Sequence, residues 1–241
     1  MSQQPPYPPA DQPYPPAGGP QQVYQVPRTK PTYPVTWTLL GINVAFFIAI
    51  YTVPGFLENV VLTYTFTRTE PWRLITSAFV HFGILHMGLN MVALVLLGRP
   101  LEQVFGKVQY LVLYLTAALG GSALFLLFAQ PMPNPYQETA AGGASGAIFG
   151  LFGALVVLQR YGIVRAGNLI PVLGLNLALS FLLPNIGWQA HIGGLIIGAG
   201  VAWAFIRGRR RETTAPQMRL EVGLIVALVV ATIIARYTLL A

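Results

Sequence analysis

The sequence predicts an all-α, polytopic membrane bundle, and three observations carry that prediction. Charged residues make up 9% and hydrophobic residues 54% of the 241 positions, with a mean hydropathy of +0.60, whereas soluble domains hold about a quarter charged residues. Seven apolar segments follow one another from Val35, near 35–53, 82–98, 108–129, 144–159, 168–183, 189–206 and 222–241. The basic residues alternate with them in a way that reads as membrane topology.

Residues 1–34 stand apart. They hold eleven of the twenty prolines and repeat Pro-Tyr-Pro-Pro-Ala at 6–10 and 13–17. Such a segment cannot bury enough apolar surface to fold, and reads as a disordered tail with polyproline II character. It lacks the basic-then-apolar order of a secretory signal. Several of the seven segments are shorter than the ~20 residues that cross a bilayer comfortably, so their flanks must extend them or the bilayer must thin. The fifth is the weakest span, with Pro171 in its first turn and Asn176 in its middle. Residues 207–221 form a basic linker before the seventh span at 222–241.

With the N-terminus inside, the cytoplasmic segments carry Arg28, Lys30, Arg99, Lys107, Arg160, Arg165, Arg207, Arg209, Arg210, Arg211 and Arg219, and the outer side carries Arg68 and Arg73. That distribution satisfies the positive-inside rule. Arg236, in the last turn of the final span, is expected to snorkel outward. The net charge of +7 is thus a topology signal, and nucleic-acid binding has no support. The absence of cysteine excludes a disulfide framework and a cysteine-ligated metal.

In this topology Ser145, His191, His86 and Asn90 all open outside-to-inside helices, so four polar groups gather near the outer end of the bundle. Ser145 lies in Gly142-Gly143-Ala144-Ser145-Gly146-Ala147-Ile148-Phe149-Gly150. Glycine inside a helix costs about 1 kcal/mol relative to alanine, so this run signals close backbone approach. Gly142, Gly146 and Gly150 recur every four residues, and Ala190, Gly194 and Gly198 do the same on the His191 segment. Small residues at that spacing let membrane helices meet backbone to backbone. Pressed together, the two segments could bring the Ser145 hydroxyl to the His191 imidazole, and a serine needs such a base to act as a nucleophile. That pairing points to hydrolysis within a bilayer.

An oxyanion would need donors. His86 and Asn90, four apart on one helical face, and the Ser145 backbone N–H at a helix N-terminus can supply them. His81 reads as structural. No carboxylate lies inside a span near the outer end, so the expected arrangement is a Ser–His dyad with an aromatic ring orienting the imidazole.

Gly-Ala-Ser-Gly at 143–146, Ala-His at 190–191, His-x-x-x-Asn at 86–90, Trp72-Arg73 in the first outer loop and Gly98-x-x-x-Glu102-x-x-x-Gly106 together resemble the rhomboid intramembrane serine proteases, over roughly residues 35–206. The resemblance implies a six-helix rhomboid-like core plus one extra C-terminal transmembrane helix. It implies Ser145 as nucleophile, His191 as general base, and an oxyanion site from Asn90, His86 and the Ser145 N–H. Gly143 would leave room for substrate. Phe149, where some members carry tyrosine, would stack on His191. Glu102 and Trp72-Arg73 would fix helix and loop ends. Residues 54–80 would form a partly membrane-embedded loop, and 130–142 a loop over the site.

The implied activity is serine endopeptidase cleavage of transmembrane protein substrates near the outer face, at a small residue followed by helix-weakening ones, with no cofactor and no metal. The expected location is a membrane with the N-terminus cytoplasmic, a bacterial plasma membrane by chain style. The main alternative is a catalytically inactive rhomboid-like relative that binds or escorts membrane proteins; the presence of both Ser145 and His191 counts against it. A transporter would favour broken midplane helices and often two matching halves; no such repeat is visible, and the polar groups cluster at one end.

Overall fold

Each of the seven apolar segments is a helix in the computed structural model, which describes residues 32–164, 169–182 and 187–238. The tail up to residue 31 with Arg28 and Lys30, Arg165, both ends of the fifth segment at residues 168 and 183, and the end of the seventh at 239–241 lie outside the described residues. In chain order the helices are α1 (Pro34–Thr52), α2 (Phe56–Val60), α3 (Tyr64–Thr69), α4 (Arg73–Thr76), α5 (Ile84–Phe105), α6 (Lys107–Phe128), α7 (Ser145–Arg160), α8 (Leu169–Leu182), α9 (Trp188–Arg209) and α10 (Ala215–Thr238). Among the described residues there is no β-strand, and one isolated antiparallel bridge joins Leu62 to Ala141.

Helices α1, α5, α6, α9 and α10 are long and apolar enough to cross a membrane. Helix α7 has 16 residues, eleven of them buried. It is the innermost helix, about 24 Å long at 1.5 Å per residue against a hydrocarbon core of about 30 Å. Helices α6 and α9 enclose it through backbone-level contacts. A Cβ on Gly194 would land on the carbonyl oxygen of Gly146, and one on Gly198 would land on the backbone of Gly150.

Two helix ends differ from expectation. Helix α5 continues past Gly98 and Pro100 to Phe105. Proline removes one backbone donor, but the added turn buries Leu101 and Phe105 and brings Glu102 under α1. There the carboxylate accepts from the Val35 and Thr36 N–H groups at 2.9 Å each and from the Thr36 hydroxyl at 2.7 Å, capping an N-terminus whose donors lack helical partners. Helix α10 starts at Ala215, seven residues before the expected span. Thr214 and Gln217 form a capping box, with the Thr214 N–H donating to the Gln217 side chain at 2.8 Å and the Gln217 N–H to the Thr214 hydroxyl at 3.4 Å. Arg219 and Glu221 hide this start from a hydropathy reading.

Arg236 corrects a further expectation. It does not snorkel outward but is buried, at 4% exposure. Its Nε donates to the Leu126 carbonyl at 3.1 Å, Nη2 to the Ala129 carbonyl at 2.8 Å and Nη1 to the Tyr64 hydroxyl at 3.2 Å. The guanidinium also lies 4.3 Å from the Tyr64 ring centroid. The physical reason is that the last carbonyls of α6 have no helical donors, and a cation at a helix C-terminus meets the negative end of the dipole. Arg236 thereby ties α10 to the end of α6 and to the first residue of α3. Arg236→Met should lower unfolding stability in mixed micelles by about 1–3 kcal/mol; an unchanged denaturation curve would contradict this burial.

Candidate active site

The site begins in the loop that leads into α7. Gly143 has φ +141°, a region L side chains rarely adopt, and its N–H donates to the Ser77 carbonyl at 2.9 Å. Just upstream, Leu62 and Ala141 exchange backbone hydrogen bonds of 3.0 and 2.8 Å. Glu138 accepts from the Thr65 N–H at 2.9 Å and also from the Thr65 hydroxyl. His81 is fully buried, and burial, reinforced by the neighbouring His86, lowers its pKa to about 4. A neutral ring has one donor and one acceptor nitrogen. Here Nδ1–H donates to the Phe79 carbonyl at 3.3 Å, and Nε2 accepts the Ala144 N–H at 3.5 Å. Both ring nitrogens of His81 are thus taken by backbone groups, one of them on the residue before Ser145.

Helix α7 makes its first intrahelical bond from the Ile148 N–H to the Ala144 carbonyl at 2.9 Å. The N–H groups of Ser145, Gly146 and Ala147 therefore precede the helical ladder and carry the positive end of its dipole. On α9, the His191 N–H donates to the Gly187 carbonyl at 3.3 Å. The backbone contact between α7 and α9 sets these side chains facing each other. His191 Nε2 is 2.8 Å from Ser145 Oγ, and the Phe149 ring lies parallel on the imidazole, 4.2 Å between centroids and 9° between planes.

The stripe of small residues is not wholly as expected. Gly142 lies in the loop before α7 and packs toward Val80 and Phe82, where an added Cβ would come within 2.8 Å of Val80. The third surface comes from α6, where a Cβ on Gly121 would meet the Ala190 carbonyl at 2.8 Å. The adjacent pair Gly120-Gly121 in the third apolar segment was the sequence signal for it.

His86 and Asn90 share the face of α5 that lines a cavity also bordered by Ser145 and His191. The Asn90 amide donates one hydrogen to the His86 carbonyl at 2.9 Å, leaving the second for the site. The His86 ring stands beside Gly143, where an added Cβ would lie 3.0 Å from both Cε1 and Nε2 of His86 and 3.5 Å from Ser145 Oγ. Gly143 thus keeps open the gap between the imidazole and the serine. The cavity has a volume of about 1250 Å³ and runs from Ser145 and His191 to apolar walls on α5 (Val92, Leu96) and α8 (Val172, Leu179).

One residue absent from the sequence reading also enters. Ser180 of α8 is buried, with Oγ 2.7 Å from His191 Nδ1 and 2.7 Å from the Asn176 carbonyl. Its signal was a pair of polar residues four apart, Asn176 and Ser180, on an otherwise apolar span. Among the described residues, no three His, Asp or Glu side chains converge as a metal site would require.

The remaining motif residues sit in the frame. Trp72 Nε1 donates to the Asn59 carbonyl at 3.1 Å. Arg73 is buried, donating to the Val61 carbonyl at 2.8 Å and, through Nε, to Glu70 at 2.7 Å. These bonds fold the segment between α1 and α5 on itself.

The Rhomboid domain profile matches residues 68–208, more than half of the chain. The chain belongs to the rhomboid family. It is 38% identical over 136 residues to RHOMBOID-like protein 6, mitochondrial, of Arabidopsis thaliana, covering 54% of this chain and 42% of that protein. It is 38% identical over 134 residues to Rhomboid protease GluP of Bacillus subtilis (strain 168), covering 54% of this chain and 25% of that protein. Against Putative rhomboid protease YdcA of the same organism it is 31% identical over 148 residues, 59% of this chain and 71% of the relative. The chain thus spans well under half the length of the first two relatives. The rhomboid match contains the four polar groups, Gly143, Phe149 and Ser180, while α1 and α10 fall outside it.

Gly143→Ala should place a methyl against His86 in a backbone conformation that costs about 1–3 kcal/mol for a non-glycine residue. The expected result is a folded rhomboid whose Ser145 reacts with an organophosphorus reagent at least about tenfold more slowly. A rate equal to wild type would contradict the assigned gap.

Proposed function

We propose that this rhomboid is an intramembrane serine endopeptidase that cleaves transmembrane segments of membrane-anchored proteins near the outer face. The observation that carries the reading is the 2.8 Å contact between Ser145 Oγ and His191 Nε2, at the inner end of a cavity with apolar walls. In the proposed orientation the N-terminus and the Arg-rich segment after α9 are cytoplasmic, and Ser145 lies toward the outer side, recessed because α7 is short.

In this reading a substrate segment enters beside the apolar faces of α5 and α8 and unwinds locally, since an intact helix shields its carbonyls. Ser145 Oγ attacks the scissile carbonyl carbon while its proton passes to His191 Nε2. Negative charge on the former carbonyl oxygen meets the Ser145 N–H at the α7 terminus, the free Asn90 amide hydrogen and the His86 ring; each such donor contributes about 10²–10³ in rate. The intermediate collapses as His191 returns its proton to the leaving amine nitrogen. Water then attacks the acyl-serine, again with His191 as base, and releases the second product. Phe149 holds the imidazole plane throughout, and Gly143 leaves passage for the substrate backbone.

Labelling with a fluorophosphonate in detergent, followed by peptide mapping, tests this reading. Wild type should be labelled at Ser145, with labelling lost in Ser145→Ala and His191→Ala. Folded wild-type protein that takes up no label, or labels equally in Ser145→Ala, would overturn it.

A further inference from the structure

Ser180 makes two contacts with one hydroxyl proton, and that count assigns the direction of every bond around His191. Asn176 offers a carbonyl, which can only accept, so the Ser180 O–H donates there at 2.7 Å. The Ser180 oxygen is then an acceptor toward His191 Nδ1, also at 2.7 Å, and Nδ1 must carry the proton. A neutral imidazole has one N–H, so Nε2 is left with its lone pair toward Ser145 Oγ at 2.8 Å. The reverse arrangement would set the Ser180 oxygen and the Asn176 carbonyl oxygen 2.7 Å apart with no hydrogen between them. It would also aim an N–H, not a lone pair, at Ser145.

We infer that Ser180 is a positioning residue for the base: it selects the Nδ1–H tautomer of His191 and holds the ring, completing a chain from Ser145 through His191 and Ser180 to the Asn176 carbonyl. The inference rests on the serine-protease reading. A serine that bonds only to the carbonyl four residues back is an ordinary feature of apolar helices and would need no second partner. Ser180 differs in its burial as well. Along residues 171–182, where α8 side chains are described, it alone is buried. The one side chain buried among those described on α8 therefore goes to the imidazole. When His191 takes the Ser145 proton, Nδ1–H becomes a donor on a cation, and the bond to the Ser180 oxygen strengthens in step with the charge. A hydroxyl then does, without a buried negative charge, the orienting work that a carboxylate does in other serine hydrolases.

The test combines a spectroscopic signature with a rate. Histidine-selective ¹⁵N NMR of the full chain, with His191 assigned against His191→Gln, should show Nδ1 protonated and Nε2 unprotonated in wild type. In Ser180→Ala the same resonances should show a mixture of tautomers. Fluorophosphonate labelling of Ser145 should slow about 10- to 100-fold in Ser180→Ala, the loss expected for a hydrogen bond to a group that becomes charged. Ser180→Thr, which keeps the hydroxyl, should recover most of that rate. A predominantly Nε2–H tautomer in wild type would overturn the assignment. So would unchanged tautomers in a folded Ser180→Ala protein that labels within about twofold of wild type. A wild-type protein with the Nδ1–H tautomer but no labelling would instead sink the protease reading while leaving the hydrogen-bond chain in place.

Discussion

Everything at this site depends on how closely α6, α7 and α9 approach one another. Lipid gives apolar helices no hydrophobic reason to prefer each other over acyl chains, so association rests on packing and on polar contacts. Glycines supply both terms here. A Cβ on Gly194 would strike Gly146, one on Gly198 would strike Gly150, and Gly121 lies against the Ala190 carbonyl. Such surfaces bring Cα–H groups against carbonyl oxygens, contacts worth up to about 1 kcal/mol each. Ser145 is one residue from Gly146, and His191 is one from Ala190. The 2.8 Å between their side chains therefore follows from the backbone contact, and any residue that wedged the two helices apart would lengthen it.

A second constraint shapes the rest. Polar groups placed in an apolar medium must find partners, because an unpaired one costs several kcal/mol. The chain answers with side chains that close backbone ends. Glu102 caps the start of α1, Arg236 covers the last carbonyls of α6, Arg73 takes the Val61 carbonyl, and Glu138 binds Thr65. These charges hold helix ends and loops around the cavity. Facing the cavity, the first N–H groups of α7, one amide hydrogen of Asn90 and the His86 ring keep hydrogen-bonding capacity that the proposed mechanism uses.

The apolar segments, their order and the facing glycine stripes were legible in the sequence because they are properties of composition and spacing. The Ser145–His191 pairing was legible for the same reason, since both residues border stripes of small residues four apart. What escaped the sequence depends on a long-range partner or on where a helix begins. Arg236 reads as a snorkelling cation until the α6 carbonyls are seen beside it. The start of α10 is set by the Thr214–Gln217 capping box, which charged neighbours hide from hydropathy. Gly142 has the right spacing but precedes the helix. Ser180 is one hydroxyl on the weakest span, and only the orientation of α8 brings it to the imidazole.

The most direct test of the account is co-reconstitution of the full chain in lipid vesicles with a panel of single-span proteins, reading products by intact mass spectrometry. The account predicts cuts within the outer part of the span, at small residues preceding helix-weakening ones, with none in Ser145→Ala. Products that persist in Ser145→Ala, or cleavage confined to soluble regions of the panel, would contradict it.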